Sequence, residues 1–324
     1  MKYPEFLKRE DVIGIFAPSA GVGHKIERYE ASLNVLKNET YRIRETASVR
    51  NEGDRSAGAL QRAKELKELV SDDEVKAVLC AAGGDFMYEM MPKVDFSLLV
   101  SHPKWIIGAS DPTNLLFPLT VKYDIATMYG FNAGYNGKGE RYEKTFLSYL
   151  KGDLKSQKSY SRYKTFIEMI NDEKKYTHEV KWKGSKGDLV MEGRIIGGCF
   201  DVLATLIGTP FDGVNDFIER YKEDGILWYF DNFASNSLQT YLTLLQMKNA
   251  GWFRHCKGVL IGRTAFESES SITYAEVYRR AFGKIPYIYE ADLGHTDPHF
   301  TIINGAVAKV KKKGEKGEIS FILR

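Results

Sequence analysis

A strand, a sharp turn and the start of a helix are predicted by the run Trp105-Ile106-Ile107-Gly108-Ala109-Ser110-Asp111-Pro112-Thr113-Asn114. The first three residues are apolar and two are β-branched, as in a buried strand. Pro112 suits the first turn of a helix, where its missing N–H costs nothing. Ser110 is therefore expected between a strand and a helix N-terminus, with its hydroxyl exposed beside free backbone N–H groups. This position suits a nucleophile, because oxyanion donors are prearranged there; the alternative role for Ser110 is a helix N-cap.

The composition is that of a soluble globular protein, with 324 residues and a formal net charge of +3. So small a charge does not indicate a nucleic-acid polymer or a membrane surface as partner. No run approaches about 18 uninterrupted apolar residues. Three widely spaced cysteines (80, 199 and 256) indicate neither a disulfide framework nor a metal site. Together with an N-terminus that lacks an apolar signal region, these features predict a cytoplasmic protein.

Strand-like and helix-like segments alternate through the first part of the chain, which predicts an α/β fold with an N-terminal, mostly parallel sheet and flanking helices. A polar segment with poor periodicity follows, and the remainder is richer in strands. We therefore divide the chain into an N-terminal α/β nucleophile domain (residues 1–150), a crossover or active-site loop (151–190), and a β-rich C-terminal α/β domain (191–324) that carries the acid and the base.

Ligands collect at the carboxyl ends of parallel strands, and a Gly83-Gly84 pair follows the predicted strand that precedes the Ser110 turn. The backbone N–H of Gly84 is predicted to form an oxyanion hole with that of Asp111, whereas the alternative role for the pair is a tight turn. No Gly-Lys-Ser/Thr follows, which excludes a phosphate loop. The first strand also lacks Gly-x-Gly-x-x-Gly, which excludes a dinucleotide-binding dehydrogenase.

A serine nucleophile needs a base within hydrogen-bond reach and a carboxylate that orients the base. His295 follows a glycine in a short loop after an apolar strand, and Asp231 ends another apolar strand. His299 lies four residues after His295, but Pro298 disrupts the helix that a metal-binding pair at this spacing needs. The sequence therefore predicts no metal and no cofactor.

Trp182 is a single large aromatic residue within the polar crossover segment. Its side chain has two possible roles. It either anchors the segment to the body of the protein or forms a stacking platform for a substrate ring.

An ordered set of motifs accompanies these residues: Ala17-Pro18-Ser19, Gly83-Gly84, residues 103–111 with Thr113, Tyr129-Gly130, residues 192–198 with Gly208-Thr209, residues 258–263, and Gly294-His295-Thr296. With this set the chain resembles the LD-carboxypeptidase and microcin-immunity family of serine peptidases over nearly its full length. The resemblance implies an N-terminal α/β layer, a β-rich C-terminal domain, an active site between them, and a homodimer.

The resemblance also implies site residues. The family's nucleophile falls on Ser110, its base on His295, and its oxyanion donors on backbone N–H groups near Gly84 and Asp111. The acid is normally a glutamate, and the matching position is Asp231, or Phe230 if the register slips by one. Since aspartate is one methylene shorter, either the backbone compensates or activity is reduced.

Two further positions depart from the family pattern. Asp85 replaces an aromatic residue or asparagine, and Cys199 stands where asparagine is frequent. Asp85 adds a negative charge near the predicted oxyanion hole, which is expected to influence substrate choice.

The sequence therefore predicts a metal-independent serine hydrolase that cleaves an amide bond beside a carboxylate or similar polar group. One substrate class is an L,D-linked muropeptide that loses its terminal D-residue. The other is a peptidyl- or aminoacyl-nucleotide amide, which stacking on Trp182 would favour. A second hypothesis is a small-molecule or peptide-binding protein on the same scaffold, with catalysis weakened at Asp231.

Overall fold

The structure, a computed structural model, describes residues 1–135, 140–171, 173–266 and 270–324. Across these ranges, no helix combines the length and the apolar character needed to cross a membrane. The described residues cluster into two compact units: residues 1–155 with 301–304, and residues 156–300 with 305–324.

The strands are, in chain order, β1 Val12–Phe16, β2 Arg42–Glu45, β3 Val75–Cys80, β4 Trp105–Gly108, β5 Thr127–Tyr129, β6 Gln157–Lys158, β7 Arg162–Tyr163, β8 His178–Glu179, β9 Lys183–Gly184, β10 Leu189–Cys199, β11 Ile226–Asp231, β12 Cys256–Gly262, β13 Tyr287–Ala291, β14 Ile302–Asn304, β15 Val307–Lys313 and β16 Lys316–Ile322.

The α-helices are α1 Ile26–Asn38, α2 Ala59–Ser71, α3 Phe96–Ser101, α4 Thr113–Val121, α5 Arg141–Leu150, α6 Phe166–Ile170, α7 Phe200–Leu206, α8 Val214–Arg220, α9 Ser237–Asn249 and α10 Tyr274–Phe282. Short 3₁₀ helices cover Gly23–Lys25, Met87–Lys93 and Ala133–Tyr135.

The first unit is built on a sheet of order β14-β5-β4-β3-β1-β2. Strands β1 to β5 pair in parallel, and β14 adds an antiparallel edge to β5. Every residue of β1, β4 and α4 is buried. Strands covered on both faces read as continuous apolar runs, which explains why the Trp105 strand is recognisable in the sequence.

The second unit contains an eight-stranded sheet of order β6-β16-β15-β10-β11-β12-β13-β9. Strands β10 to β13 form its parallel centre, and the outer strands pair antiparallel. Trp228 in this centre stacks on Trp252 at 5.3 Å between ring centroids and donates its indole N–H to the Trp252 carbonyl. The predicted α/β fold, with a mostly parallel first sheet and a β-rich second part, is confirmed.

The boundaries of the units differ in detail from the predicted division of the chain. Residues from Ser156 onward, including most of the segment treated as a crossover, cluster with the second unit. Residues Thr301–Asn304 return to the first unit as strand β14. The reason is strand pairing: β6 and β9 join the edges of the second sheet, whereas β14 pairs with β5.

Candidate active site

Ser110 lies in a strained turn between β4 and α4. Its φ angle is +67°, in the left-handed region that non-glycine residues rarely adopt. Such a residue persists only where its surroundings hold it, and strain of this kind is concentrated at functional sites. The strand–turn–helix that the sequence predicts is present, and Ser110 occupies the position of a nucleophile elbow.

Two side chains hold this turn, one at the end of the neighbouring strand β5 and one just after that strand. The Ser110 N–H donates to the Tyr129 hydroxyl at 3.1 Å. Asn132 accepts from the Ala109 N–H and donates to the Ala109 carbonyl, both at 3.0 Å. Because the Ser110 N–H is already engaged, an oxyanion at this turn would need other donors, and the N–H of the next residue, Asp111, is the predicted one.

The strain at Ser110 leads to a prediction about stability. Ser110→Gly and Ser110→Ala both remove the hydroxyl, but only glycine adopts a positive φ without steric cost. We expect Ser110→Gly to be about 1 kcal/mol more stable than Ser110→Ala. Equilibrium urea unfolding of the two variants measures the difference. Equal stability would show that the turn relaxes and stores no strain.

Gly83 and Gly84 follow β3, and Gly83 lies directly beside Ser110. A Cβ atom at Gly83 would lie 3.1 Å from the Ser110 Cβ. A Cβ atom at Gly84, whose φ is +139°, would lie 2.5 Å from the Ser19 hydroxyl oxygen. Gly83 therefore allows the backbone after β3 to approach the Ser110 turn, as the predicted oxyanion hole requires, whereas Gly84 allows it to approach Ser19.

Buried polar side chains hold the backbone that follows these glycines. Ser19 accepts from the Phe86 N–H at 3.0 Å, and the Asp111 carboxylate accepts from the Met87 N–H at 2.8 Å. The fully buried Arg62 donates to the carbonyls of Pro18 and Phe86. Burial raises the pKa of Asp111, while hydrogen bonds to its carboxylate oppose that rise. The loop and the serine turn are thus one hydrogen-bonded assembly.

Asp85 directly follows Gly84 and is exposed. Its charge faces Asp111 closely enough to contribute to the raised pKa of that residue. Its predicted influence on substrate choice stays a prediction, as do the oxyanion roles of the Gly84 and Asp111 N–H groups.

In the second unit, the carboxylate of Asp231 and the imidazole of His295 form a hydrogen-bonded pair. Asp231 Oδ1 lies 2.9 Å from His295 Nδ1, and both side chains are largely buried, at 1% and 12% exposure. Asp231 ends β11 and His295 follows β13. Because β11, β12 and β13 run parallel, their carboxyl ends lie at one edge of the sheet. The predicted contact with His295 is therefore made by Asp231, and the catalytic role of this carboxylate stays a prediction.

The shorter aspartate reaches the histidine because the backbone approaches it. Gly294 has a φ of +91°, and a Cβ atom there would lie 2.0 Å from Asp231 Oδ1. Aspartate is one methylene shorter than the family's glutamate, and the sequence leaves open whether the backbone compensates or activity is reduced. The structure favours compensation by the backbone.

Aromatic rings cover the histidine. The Phe233 ring lies 4.4 Å from the His295 ring, and Phe166 meets it edge-on at 5.9 Å. Asp201 fixes the loop that carries Phe233, since its carboxylate accepts from the Phe233 N–H and the Ser235 hydroxyl. These rings exclude water from part of the imidazole, which strengthens its interaction with Asp231.

The stacking role considered for Trp182 is wrong. Its indole is 1% exposed, and its N–H donates to Asp292 Oδ2 at 2.9 Å. The ring packs directly on Gly317, where a Cβ atom would lie only 2.0 Å from it. A ring enclosed in this way has no free face for a substrate, so Trp182 anchors its segment, which is the other role considered.

The Trp182 hydrogen bond supports a second stability prediction. Trp182→Phe leaves the fully buried Asp292 carboxylate without one donor, which costs about 1–3 kcal/mol beyond the loss of packing. The matched control is Trp105→Phe, because the buried Trp105 N–H has no hydrogen-bond partner among the described residues. Urea unfolding should show the larger loss for Trp182→Phe. Equal losses would mean that the bond to Asp292 contributes nothing.

Among the described residues, no group of three or more His, Cys, Asp or Glu side chains is placed to hold a metal ion. His299, the residue considered as a second metal ligand, pairs with Asp297 at 3.6 Å. A strained serine at a strand–helix turn and a carboxylate–histidine pair are the components of a serine hydrolase.

Comparison with known proteins agrees with this class. The LD-carboxypeptidase N-terminal domain matches residues 13–130, and the LD-carboxypeptidase C-terminal domain matches residues 192–310. The chain belongs to the LD-carboxypeptidase family and is a serine-type hydrolase.

Individual relatives span nearly the whole chain. A probable murein peptide carboxypeptidase of Bacillus subtilis (strain 168) is 25% identical, covering 94% of this chain and 90% of the relative. The crystal structure of an MccF-like protein from Bacillus anthracis str. Ames has a TM-score of 0.84 at 22% identity and covers 100% of both chains. MccF in complex with glutamyl sulfamoyl guanosine has a TM-score of 0.78 at 19% identity, covering 98% of both chains.

The sequence reasoning missed the side chains that support the site. Arg62 could have been found from the sequence, because it lies on the apolar face of α2 with Leu66 and Leu69. A charged residue on such a face must find buried partners. Tyr129 belongs to one of the motifs of the family resemblance, but the sequence does not indicate its contact with the Ser110 N–H. Nothing in the sequence indicates that Asn132 supports the site.

Proposed function

We propose that Ser110, His295 and Asp231 form one catalytic triad that hydrolyses an amide bond. The observation that carries the proposal is the 2.9 Å contact between Asp231 and His295, because it occupies Nδ1 and leaves Nε2 for the serine. The strained backbone of Ser110 and its position between a strand and a helix N-terminus support its role as the nucleophile.

In the proposed reaction, His295 removes the Ser110 proton through Nε2 as the hydroxyl oxygen attacks the amide carbonyl. Asp231 holds the required tautomer and stabilises the imidazolium that forms. The N–H groups of Gly84 and Asp111 stabilise the oxyanion. His295 then protonates the leaving amine, and water hydrolyses the acyl-enzyme by the same acid–base route.

As substrate we propose an L,D-linked muropeptide that loses its terminal D-residue. The Bacillus subtilis relative, which covers most of this chain, is named as a probable murein peptide carboxypeptidase. The burial of Trp182 also removes the stacking argument that favoured a nucleotide substrate.

A second candidate substrate is an aminoacyl-nucleotide amide. It is supported by the solved complex of MccF with glutamyl sulfamoyl guanosine, a protein of the same fold. The cytoplasmic location and the homodimer stay predictions of the sequence analysis, and analytical ultracentrifugation tests the dimer.

One experiment tests the activity and separates the substrates. Purified protein is incubated with a muropeptide tetrapeptide and with an aminoacyl sulfamoyl adenylate, and products are followed by liquid chromatography and mass spectrometry. Release of the terminal D-residue at the higher kcat/KM supports the muropeptide, whereas preferential cleavage of the adenylate supports the second candidate. Binding of either compound without turnover would support the binding-protein hypothesis and contradict the proposed activity.

A further inference from the structure

Arg263 is a buried arginine that contacts both sides of the loop carrying His295. It directly follows β12 and is 2% exposed. Before the histidine, it donates to Asp292 Oδ1 at 3.1 Å. After the histidine, it donates to the Thr296 hydroxyl at 3.0 Å and the Pro298 carbonyl at 3.2 Å.

The partners of Arg263 are themselves fixed. Asp292 is fully buried and also accepts from the indole N–H of Trp182 at 2.9 Å. Burial raises the pKa of Asp292, whereas the charge of Arg263 opposes that rise. The guanidinium also lies over the Tyr163 ring, 4.3 Å from its centroid. Trp182, Asp292, Arg263 and Thr296 thus form a continuous buried network that ends one residue from His295.

We propose that Arg263 is a positioning residue for the catalytic base: it fixes the backbone on both sides of His295 so that the imidazole stays bonded to Asp231. The inference rests on the proposed function for its catalytic consequence. Its structural part concerns only the second unit and does not depend on the substrate.

The His295 loop needs this support because its own backbone does not define its path. Gly294 directly precedes the histidine, and a glycine has more accessible backbone conformations than any other residue. The Asp231 contact fixes one ring nitrogen only. A guanidinium offers several donors in one rigid plane and reaches carboxylate, hydroxyl and carbonyl together, which a lysine ammonium cannot do.

The test compares Arg263→Lys with a matched control, Arg194→Lys. Arg194 is equally buried in the same unit, pairs with Asp224, donates to the Gly305 carbonyl and lies 3.9 Å from the Tyr221 ring centroid. Both variants keep the positive charge and lose the fork of donors, but only Arg263 contacts the His295 loop.

We expect Arg263→Lys to lower kcat by roughly 10- to 100-fold with little change in KM, because a small misplacement of a catalytic group has an effect of that size. Arg194→Lys should lower the melting temperature but leave kcat near the wild-type value. Thr296→Val removes the hydroxyl that accepts from Arg263 but keeps the Arg263–Asp292 ion pair, so it should also lower kcat, by a smaller factor. If Arg263→Lys and Arg194→Lys lose stability alike and both retain kcat, Arg263 is merely structural and the proposal is wrong.

A second measurement is independent of activity. An Nδ1–H bonded to a carboxylate gives a low-field proton NMR signal, and loss of that signal in Asp231→Asn assigns it to His295. The signal should persist in Arg194→Lys and shift or broaden in Arg263→Lys. If the wild-type protein hydrolyses neither substrate, the proposed function fails, but the NMR signal still tests the positioning role of Arg263. An unchanged signal in Arg263→Lys would overturn that role.

Discussion

Ser110→Ala is expected to lower turnover by about 10³-fold or more while the protein remains folded. The hydroxyl is the only group removed, and no other atom at the strained turn can form the acyl-enzyme. The variant is assayed with the substrate that wild-type protein cleaves, and circular dichroism confirms its fold.

Ser101→Ala is a suitable control for this experiment. Ser101 is an exposed serine at the end of α3, and its hydroxyl bonds to the Leu98 carbonyl. It should retain full activity. Retention of the wild-type rate in Ser110→Ala would end the serine-hydrolase mechanism. Inhibition by EDTA that zinc reverses would indicate a metal enzyme instead.

Asp231→Asn is expected to lower turnover by about 10³- to 10⁴-fold. An amide in place of the carboxylate can favour the wrong imidazole tautomer, and it no longer stabilises the imidazolium. The size of the change is measured as kcat at a pH where the wild type is fully active. Asp224→Asn, which alters the partner of Arg194 away from the histidine, is the control and should keep kcat.

Asp231→Glu tests whether the backbone compensates fully for the shorter aspartate or whether the aspartate reduces activity. The aspartate already lies at hydrogen-bond distance from His295, and Gly294 packs against its carboxylate. A longer side chain has to displace the loop, so we expect Asp231→Glu to be less active than wild type. Higher activity in Asp231→Glu would show that the aspartate holds His295 imperfectly. Full activity in Asp231→Asn would remove Asp231 from the mechanism.

Much of the fold follows from local sequence pattern. The apolar spacing of residues 57–70 (Leu60, Ala63, Leu66, Leu69) predicts a helix, and helix α2 forms at Ala59–Ser71. The apolar run at residues 75–82 predicts a strand, and β3 forms at Val75–Cys80. Helical and strand periodicity identify which face of a segment is buried, and that information lies within a few residues. For the same reason the Ser110 turn could be placed between its strand and its helix.

The sequence alone determined the α/β class, the position of Ser110 and the candidate residues Asp231 and His295. Only the tertiary structure decided that the last two meet, because they are 64 residues apart in the chain and become neighbours through the parallel order β11-β12-β13. It also decided that Trp182 is buried against Gly317 and Asp292. Periodicity reports whether a side chain is buried, but the partner that satisfies a buried polar group comes from a distant part of the chain and depends on how the strands are ordered in the sheet.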